Sequence, residues 1–113
     1  MKNNTDLFND IQADLKLLSI KINELKQWGS KKAEAEEQYR IALSKFLAEQ
    51  ILKGNKVTIL GDLARGQKEI ALLRKHRDKY NILYETTQES IYALKTQIRI
   101  NETMLKLEYG ARE

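Results

Sequence analysis

The chain has 113 residues, contains neither proline nor cysteine, and carries charge on 32% of its residues. The lack of cysteine excludes a disulfide framework and a thiolate metal site. A domain of this size buries roughly two-thirds of the surface that its unfolded chain exposes, so the core is modest. A chain of this composition gains apolar contact when its long helices pair side by side or when subunits share a core.

The net charge of +4 arises from one stretch of the sequence. Six lysines and arginines accompany only two acidic residues between positions 65 and 79, so this stretch accounts for the whole excess. No apolar run approaches the about 18 residues of a membrane span, and the first twelve residues lack the apolar segment of a secretion signal. We therefore expect a cytoplasmic protein without a membrane partner.

The first predicted helix covers residues 6–28, with Asn4 or Thr5 as its N-cap. Its apolar residues recur at alternating spacings of three and four, which is the pattern of a coiled-coil seam. The seam consists of Phe8, Ile11, Leu15, Leu18, Ile22 and Leu25. Leu17 and Ile20 fall off the seam, so the apolar surface is wider than one neighbouring helix covers.

Gly29 and Ser30 favour a tight turn after the first helix, because glycine suits the position beyond a helix end and serine suits an N-cap. The second predicted helix then covers residues 31–53 and ends at Gly54. In the alternative interpretation, the first two helices are continuous through Gly29 and form one arm of a long hairpin.

Residues 54–61 are predicted to connect the second and third helices. The run 57–60 is apolar and β-branched, but the sequence offers no partner strand, so we interpret it as a buried connector. The third helix covers residues 62–109 and is capped by Thr58 or Asp62. This organisation predicts a single all-α domain, either an antiparallel helical hairpin or a three-helix bundle with a long coiled-coil-like C-terminal helix.

The third predicted helix has an apolar row whose members are seven residues apart. Arg77 interrupts this row and Asn101 lies on its companion row, where a polar residue costs stability but can select register and partner number. We therefore predict a homo-oligomer. The candidate self-association residues are Leu63, Ile70, Tyr84, Ile91, Leu94, Ile98 and Leu105. The inner face of a monomeric three-helix bundle would show the same spacing.

The basic stretch is the candidate contact for nucleic acid or for an acidic partner, because clustered cations neutralise phosphates. The candidate contact residues are Arg65, Lys68, Arg74, Lys75 and Lys79. With Leu63 at heptad position a, these cations spread around the solvent side of the helix, which is also typical of an ordinary solvated face. A helix-turn-helix over residues 57–70 is disfavoured by Gly61 and Gly66 inside the recognition helix.

Side chains for catalysis, metal binding or cofactor binding are not grouped in the sequence. His76 is the only histidine and has no partner at metal-ligand spacing. The carboxylate pairs Glu34 with Glu37 and Glu85 with Glu89 lie among solvent-facing positions without an apolar pocket around them. We therefore predict a protein that is not an enzyme and that binds no metal and no cofactor.

Two short runs stand in the middle third of the chain: YRIAL at residues 39–43 and GNKVTILGDLARG at residues 54–66. In these runs the sequence resembles small uncharacterised helical proteins encoded by phages and prophages of Gram-positive bacteria. The resemblance implies an accessory role inside a bacterial host cell, with a host or phage protein as partner. It also implies two alternatives: a nucleic-acid-binding protein of phage recombination or replication, or an inhibitor of a host defence nuclease or signalling system.

Overall fold

The computed structural model describes residues 3–112, with side chains through residue 109. It contains three helices: α1 (Asn4–Leu52), α2 (Val57–Gly66) and α3 (Lys68–Arg112). No residue in the described range forms a strand. The predicted all-α class is therefore confirmed, and the long C-terminal helix α3 packs against α1.

The residues group into two compact units. The first unit combines residues 1–26 with residues 85–113, and so pairs the start of α1 with the end of α3. The second unit consists of residues 27–84, and contains the rest of α1, all of α2 and the start of α3. The prediction of a single domain stays a prediction.

The helix α1 begins at Asn4, two residues before the predicted start at residue 6. Asn3 Oδ1 accepts a hydrogen bond of 2.8 Å from the backbone N–H of Asp6, and the helix starts at Asn4. Asn3, rather than Asn4 or Thr5, is therefore the N-cap. The carboxylate of Asp6 lies in the first turn, where it interacts favourably with the positive end of the helix dipole.

The predicted turn at Gly29 is wrong, because α1 runs without interruption through Gly29 and Ser30 to Leu52. The alternative of one continuous helix is the correct one, so the predicted helices 6–28 and 31–53 are a single element. A Cβ atom on Gly29 would lie 3.3 Å from Cε2 of Tyr84. Gly29 thus leaves room for an aromatic ring of α3 within the second unit and does not end a helix.

The end of α1 lies at Gly54, as predicted. Gly54 has a φ of +85°, a left-handed conformation that glycine adopts without steric penalty. Its N–H donates to the carbonyl of Ile51 at 3.0 Å, and the N–H of Asn55 donates to the carbonyl of Gln50 at 3.1 Å. These two hydrogen bonds form a Schellman motif, which satisfies carbonyls that the helix end would otherwise leave unpaired.

The predicted connector at residues 54–61 is wrong in its second half, because α2 begins at Val57. This short helix buries Leu60 and Ala64, four residues apart on one face. Val57, in the first turn, and Ile59 are exposed. The apolar run therefore belongs to an amphipathic helix and not to a buried extended segment.

The third predicted helix, residues 62–109, is divided between α2 and α3. Gln67 has an extended backbone that separates the two helices. Its side-chain Oε1 accepts a hydrogen bond of 2.8 Å from the N–H of Ile70, so Gln67 caps α3 in place of the predicted Thr58 or Asp62. This cap was not predictable from the sequence, because glutamine is not among the favoured N-cap residues.

The core is a narrow strip in each unit. The buried apolar residues among those described are Leu7, Ile11, Ala35, Leu60, Ala64, Ile70, Ile91 and Ile98. In α3 the predicted heptad row is confirmed as inward-facing at Ile70, Ile91 and Ile98. In α1 the predicted seam is only half right: Ile11, Leu18 and Leu25 are buried or half-buried. The remaining seam residues, Phe8, Leu15 and Ile22, are exposed.

Two glycine substitutions test these helix boundaries. Gly61→Ala should raise the free energy of unfolding by about 0.5–1 kcal/mol, because alanine is the better helix former and the new Cβ meets only the flexible Arg65 side chain, at 3.5 Å. Gly54→Ala should lower it by about 1–2 kcal/mol, because its φ is left-handed. Urea unfolding of both variants at one protein concentration measures these changes in the free energy of unfolding. Equal changes in the same direction would contradict the assigned boundaries.

Candidate functional site

The predicted nucleic-acid contacts all lie in the second unit, but on two helices. Arg65 is in the last turn of α2, and its Nη2 lies 3.9 Å from Oδ1 of Asp62, with both side chains exposed. The others are on α3: Lys68, Lys75 and Lys79 are exposed, and Arg74 is half-buried. The break at Gln67 therefore separates Arg65 from the rest of the predicted set.

Three of the predicted cations line one shallow depression of about 500 Å³ on the outside of α3, which we call the basic face. Its lining residues are Ala71, Arg74, Lys75, Asp78, Lys79, Ile82 and Leu83. Lys68, Arg74, Lys75 and Lys79 form no ion pair with any described residue. Four positive charges of α3 thus stay uncompensated, three of them beside apolar surface.

Arg77, which interrupts the heptad row, is held inside the second unit. Its guanidinium carbon lies 4.4 Å from the centre of the Tyr39 ring, and its Nε lies 3.8 Å from Oε2 of Glu36. Its Nε and Nη2 donate to Oδ1 of Asp78 at 3.1 and 3.0 Å. Partial desolvation lowers the pKa of Arg77, but the hydrogen bond to Asp78 and the nearby charges raise it above its ordinary value. Arg77 is therefore engaged within the chain.

An aromatic cluster lies where α1 meets α3 in the second unit. The ring centroids of Trp28 and Tyr80 are 6.1 Å apart, with the planes tilted by 32°. Lys32 Nζ lies 4.6 Å from the centre of the Tyr84 ring, and Lys31 Nζ lies 6.0 Å from that of Tyr80. Cation–π contacts of this kind contribute about 0.5–1 kcal/mol each at exposed sites. Tyr80 and Tyr84 thus serve packing between the helices.

The predicted self-association row lies mostly against α1 of the same chain. Ile70, Ile91 and Ile98 are buried, and Leu63 on α2 is exposed. The half-buried members are Tyr84, Leu94 and Leu105. Packing within the chain already uses most of this surface, so little of it is free for a second copy. Self-association through this row stays a prediction.

A groove of about 540 Å³ lies between α1 and α3 in the second unit, which we call the α1–α3 groove. Its apolar lining includes Ile41, Phe46 and Ile70. The remaining lining residues are Gln38, Ala42, Lys45, Glu49, Gln67, Glu69 and Leu73. Ile70 also lines a second cleft, of about 370 Å³, together with Leu60 and Ala64 of α2. The sequence did not reveal the groove, because its apolar residues have the spacing of an ordinary helix core.

The described part of the chain holds no group of three or more acidic or histidine side chains that could bind a metal ion. None of the described helices combines the length and the apolar character needed to cross a membrane. The chain matches no family model, no curated protein and no solved structure among those with which it was compared.

Proposed function

We propose that this chain is a non-enzymatic helical interaction protein that self-associates and acts by binding another macromolecule. The observation that supports self-association is the exposed area. The chain exposes 8568 Å². A folded monomer of 13.2 kDa exposes roughly 6,400 Å² by the usual scaling with mass. The excess of roughly 2,200 Å² falls in the range that one subunit buries in an obligate dimer, roughly 1,000–2,500 Å².

The chemistry of the exposed surface points the same way. Among the described residues, 18 large apolar side chains are exposed, whereas only eight apolar residues are buried. Isolated apolar residues are common on protein surfaces, but 18 exposed large apolar side chains in a chain of this size leave a considerable apolar area in water. Covering part of it in an assembly contributes about 25 cal/mol for each Å² of apolar area removed from water.

The mass of the intact chain in solution tests the proposed self-association. Size-exclusion chromatography coupled to light scattering should give at least twice 13.2 kDa at micromolar concentration. A mass of 13.2 kDa throughout that range contradicts the proposal.

The α1–α3 groove supports the second half of the proposal, the binding of another macromolecule. Helical partners insert their apolar face into a hydrophobic groove and place polar residues along its rim. The groove combines apolar lining residues with exposed charged residues of both signs, Lys45, Glu49 and Glu69. On the other side of Ile70, the chain's own α2 contributes Leu60 and Ala64 to the second cleft.

A pair of matched variants tests whether the groove is used. Ile41 lines the groove and Ile82 lines the basic face, and the two side chains are 61% and 62% exposed. A protein that co-purifies with the wild type should be lost with Ile41→Lys and retained with Ile82→Lys. Retention by Ile41→Lys, or equal loss from both variants, would exclude the groove as the binding surface.

A second candidate function is a nucleic-acid-binding accessory protein. Its supporting observation is that four cations on α3 lack an ion-pair partner among the described residues: Lys68, Arg74, Lys75 and Lys79. Contacts with phosphates release counterions, so binding through these four residues would weaken steeply with salt and depend little on base sequence.

Salt titration of duplex DNA binding tests this candidate. Four phosphate contacts give a slope of about −3 to −4 in a plot of log affinity against log salt concentration. The double variant Lys75→Glu and Lys79→Glu should reduce the slope by about 2. A matched control, Lys16→Glu with Lys95→Glu, makes the same change in net charge, from +4 to zero, at exposed positions of the first unit. Equal effects of the two pairs, or no binding at about 50 mM salt, would end this proposal.

A further inference from the structure

The part of α1 in the first unit carries three neighbouring rows of residues spaced seven apart. The middle row faces inward and consists of Ile11, Leu18 and Leu25. One flanking row is also buried or half-buried and consists of Leu7, Asp14 and Lys21. The other flanking row, which we call the outer row, consists of Phe8, Leu15 and Ile22. The outer row is entirely apolar, yet its side chains are 53%, 43% and 37% exposed.

The inward position of the flanking row that contains Asp14 and Lys21 is energetically unfavourable. Asp14 Oδ2 is buried and has no hydrogen-bond partner, and Lys21 is half-buried while its Nζ bonds to Oε2 of Glu24 at 3.1 Å. Burying a polar atom without a partner is unfavourable, and so is leaving an apolar row in water. Packing against α3 alone therefore leaves the apolar flank of α1 uncovered, although burial of that flank would be favourable.

We propose that the outer row is the seam along which two copies of this chain pair, with α1 antiparallel to α1 about a twofold axis at Leu15. The inference rests on the self-association proposed above. In this arrangement residues whose numbers sum to 30 face each other. Leu15 meets Leu15 of the partner subunit, and Phe8 meets Ile22 of the partner subunit. Every contact in the row then joins two apolar side chains, which is the self-complementarity that a twofold interface requires.

The surroundings of the outer row fit a second copy. Gln12 and Ser19 lie next to the row on its solvent side and are uncharged, so two copies bring no like charges together at the centre. The centres of protein interfaces are depleted in charged residues. The same unit also exposes Ile100, Met104 and Leu107 on α3, which add to its apolar area.

A matched pair of glutamate variants tests the location of the seam. Leu15→Glu places a charge at the proposed axis. Ile20→Glu is the control, and it places the same charge elsewhere on the same helix. Ile20 is 54% exposed and lies about 140° around the helix from Leu15. Light scattering on the full chain should give 13.2 kDa for Leu15→Glu and twice that mass for Ile20→Glu and for the wild type. Circular dichroism checks that both variants keep the helical content of the wild type.

Disulfide trapping tests the antiparallel geometry independently, because the chain has no cysteine of its own. Leu15→Cys should oxidise to a covalent dimer. Phe8→Cys should not, because the two copies of position 8 would lie roughly 21 Å apart, at about 1.5 Å for each residue. A disulfide needs Cα atoms within about 7 Å. A mixture of Phe8→Cys and Ile22→Cys chains should form the mixed dimer.

The outcomes separate the two proposals. A monomeric wild type overturns both the seam and the proposed self-association. A wild type that assembles, together with an assembled Leu15→Glu variant and no cross-link through Leu15→Cys, overturns the seam and leaves self-association standing. If Leu15→Glu loses helical content, the cross-linking of the cysteine variants tests the seam instead, because the shorter cysteine side chain introduces no charge.

Discussion

A helix that packs against one neighbour buries a single strip of its surface, and this constraint governs the whole chain. The strip on α3 is the seven-residue row that contains Ile70, Ile91 and Ile98. In the first unit the matching strip on α1 begins at Leu7 and Ile11. In the second unit α2 adds only Leu60 and Ala64 to this core. Apolar residues outside these strips remain exposed, and they form the surface that the proposed assembly would cover.

The same constraint explains why an arginine remains in the heptad row. A narrow strip has water on both sides, so the charged end of Arg77 reaches Glu36 and Asp78 at the edge while its guanidinium stacks on Tyr39. A fully enclosed core would impose a large desolvation cost on such a group. Arg77 therefore belongs to the packing of the second unit, whereas Arg74, Lys75 and Lys79 of the basic face form no ion pair with a described residue.

The sequence predicts the features that depend on local chemistry or on strict spacing. The inward row of α3 follows from its seven-residue repeat, and the end of α1 follows from glycine at position 54. The continuity at Gly29 was harder to foresee, because this glycine accommodates the ring of Tyr84, which is far away in the sequence. In α1 the seam could not be chosen correctly, because a flanking row that contains Asp14 and Lys21 faces inward while the wholly apolar outer row is exposed.

The candidate site, too, could be predicted from the sequence only in part. The positive stretch was evident from composition, but the break at Gln67 and the engagement of Arg77 depend on three-dimensional contacts. The α1–α3 groove was also hidden, because a residue such as Phe46 has the same spacing whether it lines a groove or fills a core. Sequence pattern therefore identified the all-α class and the positive stretch, and the structure was needed to find the helix boundaries and the surfaces that remain uncovered.

In the proposed function, the folded chain has a small core of its own and would gain stability by association. The most direct test is the urea midpoint of unfolding, measured by circular dichroism over a hundredfold range of protein concentration. Association of the folded state makes the midpoint rise with concentration, because subunits that bind only the folded form stabilise it by mass action. A midpoint that stays constant over this range would show that the fold is stable as a single chain, and would contradict the account.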